Sequence, residues 1–205
     1  MKEREMQEKS LNEKESLELI TRMIRNTQRK LERGAGGPML IWGYATIITT
    51  ITVWIALRVT QDYHCHFLWF LIPVIGMIGM MMRKKQTEGV RTYLDKVIGY
   101  IWLVLGVTGF IISALSIMTP MWTLPILFII IIIMGMGSVL TGLVSDFRPM
   151  VIGGIVGLLI SIPHYMIKVD IFDVQLLSFV LAFISMYIIP GHILNYKAKK
   201  ACLKN

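Results

Sequence analysis

Residues 122–144 read WTLPILFIIIIIMGMGSVLTGLV. From Ile126 to Val144 no charged side chain interrupts the run. A helix rises about 1.5 Å per residue and a bilayer's hydrocarbon core is about 30 Å thick, so a stretch of about 20 such residues spans it. This segment is therefore a transmembrane helix, and it sets the reading of the whole chain.

Working outward, the same signal recurs. Apolar stretches cover approximately 38–57, 63–82, 97–117, 122–144, 150–167 and 175–194. The second needs Tyr63–His66 to complete a crossing, and the fifth carries Pro163 and His164. Hydrophobic residues make up 55 % of the chain, above the roughly 45–50 % of soluble domains even when Gly is counted among the apolar residues. The excess is gathered into runs, which requires a bilayer and not a large soluble core. The fold class is thus all-α: an integral membrane bundle of about six transmembrane helices, preceded by an N-terminal cytoplasmic amphipathic helix. The expected organisation is 1–37 amphipathic helix and glycine hinge, 38–196 bundle, and 197–205 basic cytoplasmic tail.

Charge placement gives an orientation. The net charge is +8, which in a soluble protein would suggest nucleic acid. Here, if the N-terminus is inside, all but Arg58 and Lys168 of the 21 Lys and Arg fall in cytoplasmic segments. This is the positive-inside pattern, and an odd number of spans would spoil it. Nucleic-acid binding is disfavoured and the lipid bilayer is the primary partner. Trp42, Tyr44, Tyr100 and Tyr196 on the inner side, with Trp54, Tyr63 and Trp122 on the outer, suit interfacial aromatic belts.

The two cysteines, Cys65 and Cys202, fall on opposite sides and form no CxxC, which excludes a disulfide framework. The first apolar run begins at Pro38 behind a charged segment, so no secretory signal is expected. Neither a myristoylation nor a prenylation motif is present.

Residues 1–33 have a helical pattern. Ser10 and Glu13 fit a capping box. Leu17, Ile20, Ile24 and Leu31 fall on one stripe, and Arg22, Arg25, Arg29 and Arg33 make the second half basic. The stripe suits a cytoplasmic protein partner or a second copy of the chain, and the arginines equally suit anionic lipid. Gly34-Ala35-Gly36-Gly37 is expected to break this helix before the membrane.

ESLELITRMIRNTQRKLERG within 15–58, running into PMLIWGY, together with TYLDKVIGYIW, TGLVSDFRPMVIGG and IIPGHILNY further on, resembles an uncharacterised family of small polytopic inner-membrane proteins from the Bacteroides group of bacteria. The resemblance spans most of the chain. It implies a multi-pass inner-membrane architecture, and it brings no activity with it.

The six spans hold no Asp, Glu, Lys or Arg. Proton relays and ion-coupled transporters usually keep such groups in the membrane, so ion-driven chemistry is disfavoured, with backbone-lined sites at broken helices the exception. At the outer face, Asp62-Tyr63-His64-Cys65-His66 and His164 supply ligand types for zinc or copper, against interfacial polar residues capping a short loop. On an α-helix His64 and His66 point about 200° apart, so they converge only from a loop or extended segment. Pro190-Gly191-His192 marks a kink, read either as a gate or partner contact or as a helix end at the interface. Gly109 with Ser113, Gly137 with Thr141, and Gly153 with Gly157 are small-xxx-small pairs, which pack the bundle within one chain or form a homodimer face. Thr46, Thr49 and Thr50 share a face directed into the bundle. No nucleophile elbow, zincin motif, P-loop or dinucleotide fingerprint occurs.

These features lead to a non-enzymatic membrane protein, a regulatory or interaction component acting through its N-terminal helix. The alternative is a small-molecule transporter or the membrane-embedded substrate-binding subunit of one. The third is a metal-binding protein or enzyme at the outer face.

Overall fold

The computed structural model describes residues 13–84, 93–118, 125–166 and 172–203. Over 13–35 the description is of the backbone, apart from the exposed Glu18. Seven α-helices follow in order: α1 Glu13–Thr60, α2 Leu71–Lys84, α3 Tyr93–Met118, α4 Ile126–Val144, α5 Arg148–Met166, α6 Phe172–Phe183 and α7 Ile189–Leu203. A 3₁₀ helix, Tyr63–Phe70, leads into α2, and a π turn, Ile184–Ile188, joins α6 to α7. No strand occurs among the described residues.

Six helices are long and apolar enough to cross a membrane: Gly36–Thr60, His64–Arg83, Tyr93–Ser116, Ile126–Val144, Arg148–Met166 and Asp173–Lys200. The chain is an all-α bundle with the composition of a multi-pass membrane protein. The second and fifth runs are both among the six. Pro73 explains the 3₁₀ start of the second. It sits in the first turn of α2, where its missing N–H is tolerated, and it cannot bond the Trp69 carbonyl.

The helices alternate in direction. Their ends make a basic end, where α1 enters the bundle and α7 leaves it, and a far end holding the 3₁₀ helix. At the core, Phe179, Phe183, Met186, Tyr187, Ile131 and Val53 are buried. An aromatic ladder ties the elements together: Trp69 meets Phe179 edge-on at 5.7 Å, Phe179 and Phe183 lie 4.7 Å apart, Phe183 stacks on Tyr187 at 5.5 Å, and Trp102 reaches Tyr187 at 6.0 Å. With lipid as solvent, apolar burial does not drive helices together. Packing contacts and interhelical hydrogen bonds do, and rings at these separations supply both bulk and geometry.

The π turn has a local cause. Ile189 N–H reaches back five residues to the Ile184 carbonyl, and Pro190 offers no N–H to the Met186 carbonyl. That carbonyl is met instead from α4, where Ser138 Oγ lies 3.4 Å from it and 3.3 Å from the Met150 carbonyl. A hydroxyl has one proton, so Ser138 is shared between them. Gly153 lets the neighbouring Ser185 carbonyl come against α5.

Two boundaries differ from the sequence expectation. The glycine break is absent: α1 runs unbroken from Glu13 to Thr60, through Gly34–Gly37 and Pro38. Glycine costs about 1 kcal/mol of helix propensity per residue, and here two of the glycines lie against neighbouring helices that occupy the space a side chain would take. The basic tail is also helical, with α7 continuing to Leu203.

Candidate interaction site at the basic end

Where α1 enters the bundle, two helices meet its backbone. A Cβ at Gly36 would collide with the Asn195 side chain and lie 2.8 Å from the Gly191 carbonyl, both on α7. A Cβ at Gly37 would collide with the Arg83 guanidinium of α2, with Nε 2.6 Å away. Consecutive glycines thus seat α7 on one side and α2 on the other. Gly191 in turn receives Leu40, whose Cδ2 would be 2.9 Å from an added Cβ. One turn further, Ile41 and Trp42 fill the hollows at Gly79 and Gly76 of α2.

A polar contact follows. Tyr44 Oη lies 2.9 Å from His192 Nε2, with the rings edge-on at 6.2 Å. His192 is thereby a bridge between α1 and α7. Deeper in, Thr46 donates to the Trp42 carbonyl at 2.9 Å and Thr50 to the Thr46 carbonyl at 2.7 Å. Thr49 is equally buried, yet its hydroxyl has no partner. The threonine face is directed inward, as its spacing requires.

At the far end the contacts are of a different kind. Arg58 of α1 pairs with Asp173 of α6, and Trp54 Nε1 donates to the same carboxylate at 2.7 Å. Asp62 caps the 3₁₀ helix, accepting from the His64 N–H at 3.0 Å and lying 2.7 Å from His64 Nδ1. The His64 backbone N–H, then its ring, hold the Asp62 carboxyl below the usual range. Gln61 just before it has a positive φ of 50°, and so does Asp146 at 51° in the α4–α5 turn.

The proposed metal ligands are distributed as follows. His64 is bonded to Asp62, and Cys65 Sγ lies 3.2 Å from the Thr60 hydroxyl. His66 sits on the 3₁₀ helix, which turns successive residues by about 120° and so keeps His64 and His66 apart. His164 is buried and its Nδ1 lies 2.6 Å from Ser178 Oγ, which donates to the Gln175 carbonyl. Since that hydroxyl's proton is used, His164 is the donor. Among the described residues, no three His, Cys, Asp or Glu side chains are grouped to hold a metal.

The small-residue pairs differ among themselves. Gly153 and Gly157 receive Ser185, Pro190 and Met186 from the π turn and α7. Gly137 receives Trp102 and Leu105 of α3. Thr141 is buried, with an unpartnered hydroxyl. Gly109 is looser, with Ile130 Cδ1 at 3.7 Å, and Ser113 bonds the Gly109 carbonyl at 2.7 Å. All of these contacts are within the chain. Leu17, Ile20, Ile24, Leu31, Arg22, Arg25, Arg29 and Arg33 lie on the backbone of α1, and their side chains lie outside the described residues.

Arg83 and Asn195 were not singled out by sequence, and Gly36 and Gly37 were read only as a helix break. A signal was present: Gly36-Gly37 and Pro190-Gly191 both sit where an apolar run meets basic residues, and paired glycines at such points mark close backbone approach. No protein-family model, no curated protein and no solved structure matches this chain.

Proposed function

We propose that this is a non-enzymatic protein of the bacterial inner membrane, with both termini cytoplasmic, that serves as a regulatory or interaction component. Its N-terminal segment engages a cytoplasmic protein partner, and α1 carries the state of that segment into the bundle. One observation supports this above the others: α1 is a single helix from Glu13 to Thr60, clasped by α2 and α7 where it enters the bundle. A push or rotation at its N-terminal part is then felt at Gly36 and Gly37, because a helix transmits displacement while a flexible linker absorbs it. The inward side is assigned by the positive-inside rule, and the bacterial inner membrane by the family resemblance.

Pull-down with full-length protein and with residues 1–33 deleted tests the partner. The expected result is a set of co-purifying proteins lost on deletion. An unchanged set removes the proposal.

Small-molecule transport has one observation in its favour, the Thr49 hydroxyl, buried and unpartnered in the bundle. A bound molecule identified by mass spectrometry in purified protein, and lost in Thr49→Val, would shift the assignment to that alternative. The outer-face metal alternative gains no ligand grouping among the described residues.

A further inference from the structure

We infer that α1 and α7, where both run on past the basic end of the bundle, form a basic groove that binds an acidic segment of a soluble protein. Resting on the reading that the N-terminal part of α1 engages a protein, this site adds α7 as a second wall.

The register of α1 places the first wall. Gly36 lies against Gly191 and Asn195 of α7, Leu40 fills the hollow at Gly191, and Gly43 meets Tyr187 and Ile188 just before α7. These positions mark the side of α1 that packs on α7. Because α1 is one helix from Glu13, that side continues outward in steps of three and four residues. It passes through Arg33, Arg29, Arg25 and Arg22, with Arg29 and Arg22 one and two heptads before Gly36. Leu17, Ile20, Ile24 and Leu31 fall on the other side of the helix.

The second wall has the same sign. α7 runs antiparallel to α1 as far as Leu203. From Gly191 and Asn195, four-residue steps along α7 lead to Lys199, which is exposed, with Lys197 and Lys200 on either side of it in sequence. Between Arg22 and Gly36, the bases Arg22, Arg25, Arg29, Lys30 and Arg33 stand against Glu32 alone, and from Asn195 to Leu203 the lysines stand against no acid. The positive-inside rule accounts for how many bases lie here, and the helix dipole for lysines near the end of α7. Neither accounts for arginines in the interior of α1 sharing one stripe with the glycines that seat α7. Adjoining helices of like charge repel, and a cleft of one sign concentrates ligands of the other.

Distance names the occupant. At about 1.5 Å per residue, Arg29 stands roughly 10 Å and Arg22 roughly 20 Å beyond Gly36, where the span begins. Headgroups reach only about 5–8 Å past the hydrocarbon, so the outer arginines stand beyond lipid phosphate. Carboxylates match the arginine fork in two-point fashion. The apolar stripe on the other side of the same segment suits a protein and offers nothing to a nucleic acid.

The test uses the full chain in phosphatidylcholine nanodiscs and a fluorescein-labelled glutamate-rich peptide, read by fluorescence anisotropy. The wild type is expected to bind the peptide. Arg25→Gln combined with Arg29→Gln keeps helix propensity and should weaken binding roughly ten-fold, the scale of a lost charge-assisted hydrogen bond. Lys199→Gln combined with Lys200→Gln should weaken it roughly five-fold. Arg148→Gln, an exposed charge at the same end but on α5, should stay within about two-fold of the wild type. An α7 pair that binds as the wild type does overturns the inference, because the groove then has one wall, and it leaves the N-terminal reading standing. The inference also falls if the wild type does not bind, if Arg148→Gln matches the α7 pair, if phosphatidylglycerol in the disc abolishes the peptide signal, or if single-stranded RNA of matched charge binds more tightly than the peptide.

Discussion

The two ends of α1's membrane-spanning part are fastened in opposite ways. At the basic end, Gly36 and Gly37 bring α1 against Gly191, Asn195 and Arg83, so the fit depends on the absence of side chains. At the far end, α1 is held to α6 through Arg58, Trp54 and a shared Asp173 carboxylate, and the next segment by the Asp62 cap. One fastening is close packing around glycines, and the other is an exposed ion pair. Steric contacts tolerate no added volume but ignore salt. Exposed ion pairs tolerate substitution and weaken as salt screens them. The close-packed end, where the Gly191 carbonyl sits against Gly36, lies beside the segment proposed to receive a partner.

The largest effect should come from the steric end. Gly36→Leu places a branched side chain where Asn195 and Gly191 already sit, and it should cost roughly 3 kcal/mol, the upper part of the range for overpacked sites. Gly99→Leu is the control, because a Cβ at Gly99 meets nothing within 4 Å. It should leave stability unchanged or slightly raised. Equilibrium unfolding in mixed detergent measures both, and equal effects would erase the distinction between clasped and open glycines.

Next comes the interior between the two ends. Thr49→Val removes a buried hydroxyl without a partner and keeps the shape, so it should stabilise by about 1 kcal/mol. Thr50→Val removes a hydroxyl already bonded to the Thr46 carbonyl and should bring no such gain. A loss in Thr49→Val would mean the hydroxyl is engaged by a bound molecule.

The charged end should yield less. Arg58 and Asp173 are both substantially exposed, so Asp173→Asn should cost between zero and about 1 kcal/mol, and that cost should shrink as salt is raised. A cost that survives high salt would show that the far end is steric too. The smallest effect is at Asp62, which is fully exposed. Its carboxyl is depressed in the folded state by the His64 N–H and then by the His64 ring. A depressed acid stabilises above its unfolded value and loses that contribution only as pH falls through the lowered folded value. Protection of the 63–70 amides relative to their intrinsic exchange rates should therefore stay constant from neutral pH down to the ordinary carboxylate value of 3.8 and fall only below it. Fraying that sets in above that value would assign the cap to another group.

The far end was the more legible of the two in the sequence, and the basic end the less. Asp62 reads as one of the polar residues that hold a metal or cap a short loop, and the spacing of Thr46, Thr49 and Thr50 assigns them to one buried face without any coordinates. The six spans were legible for the same reason, since run length is a local property measured against a fixed thickness. Gly34–Gly37 misled because glycine is a breaker when water is the alternative partner. In a bundle it is also a place for a neighbour's backbone, and the neighbours here, Arg83 and Asn195, lie far away in sequence. The π turn was half visible. Pro190 announces a freed carbonyl, but nothing local says that Ser138 of α4 meets it. His164 shows the opposite error: a residue offered as a ligand is spent on Ser178, a partner named only by the packing of α5 against α6.

The continuity of α1 is the claim on which the rest depends, and a spin-label distance tests it directly. With Cys65 and Cys202 replaced by Ser, labels at Glu18→Cys and Ile48→Cys sit on exposed positions either side of the glycines. A continuous helix at about 1.5 Å per residue separates their backbones by roughly 45 Å, and pulsed dipolar spectroscopy in nanodiscs should return one narrow distribution near that value. A broad distribution centred well short of it would restore the hinge at Gly34–Gly37 and contradict the account.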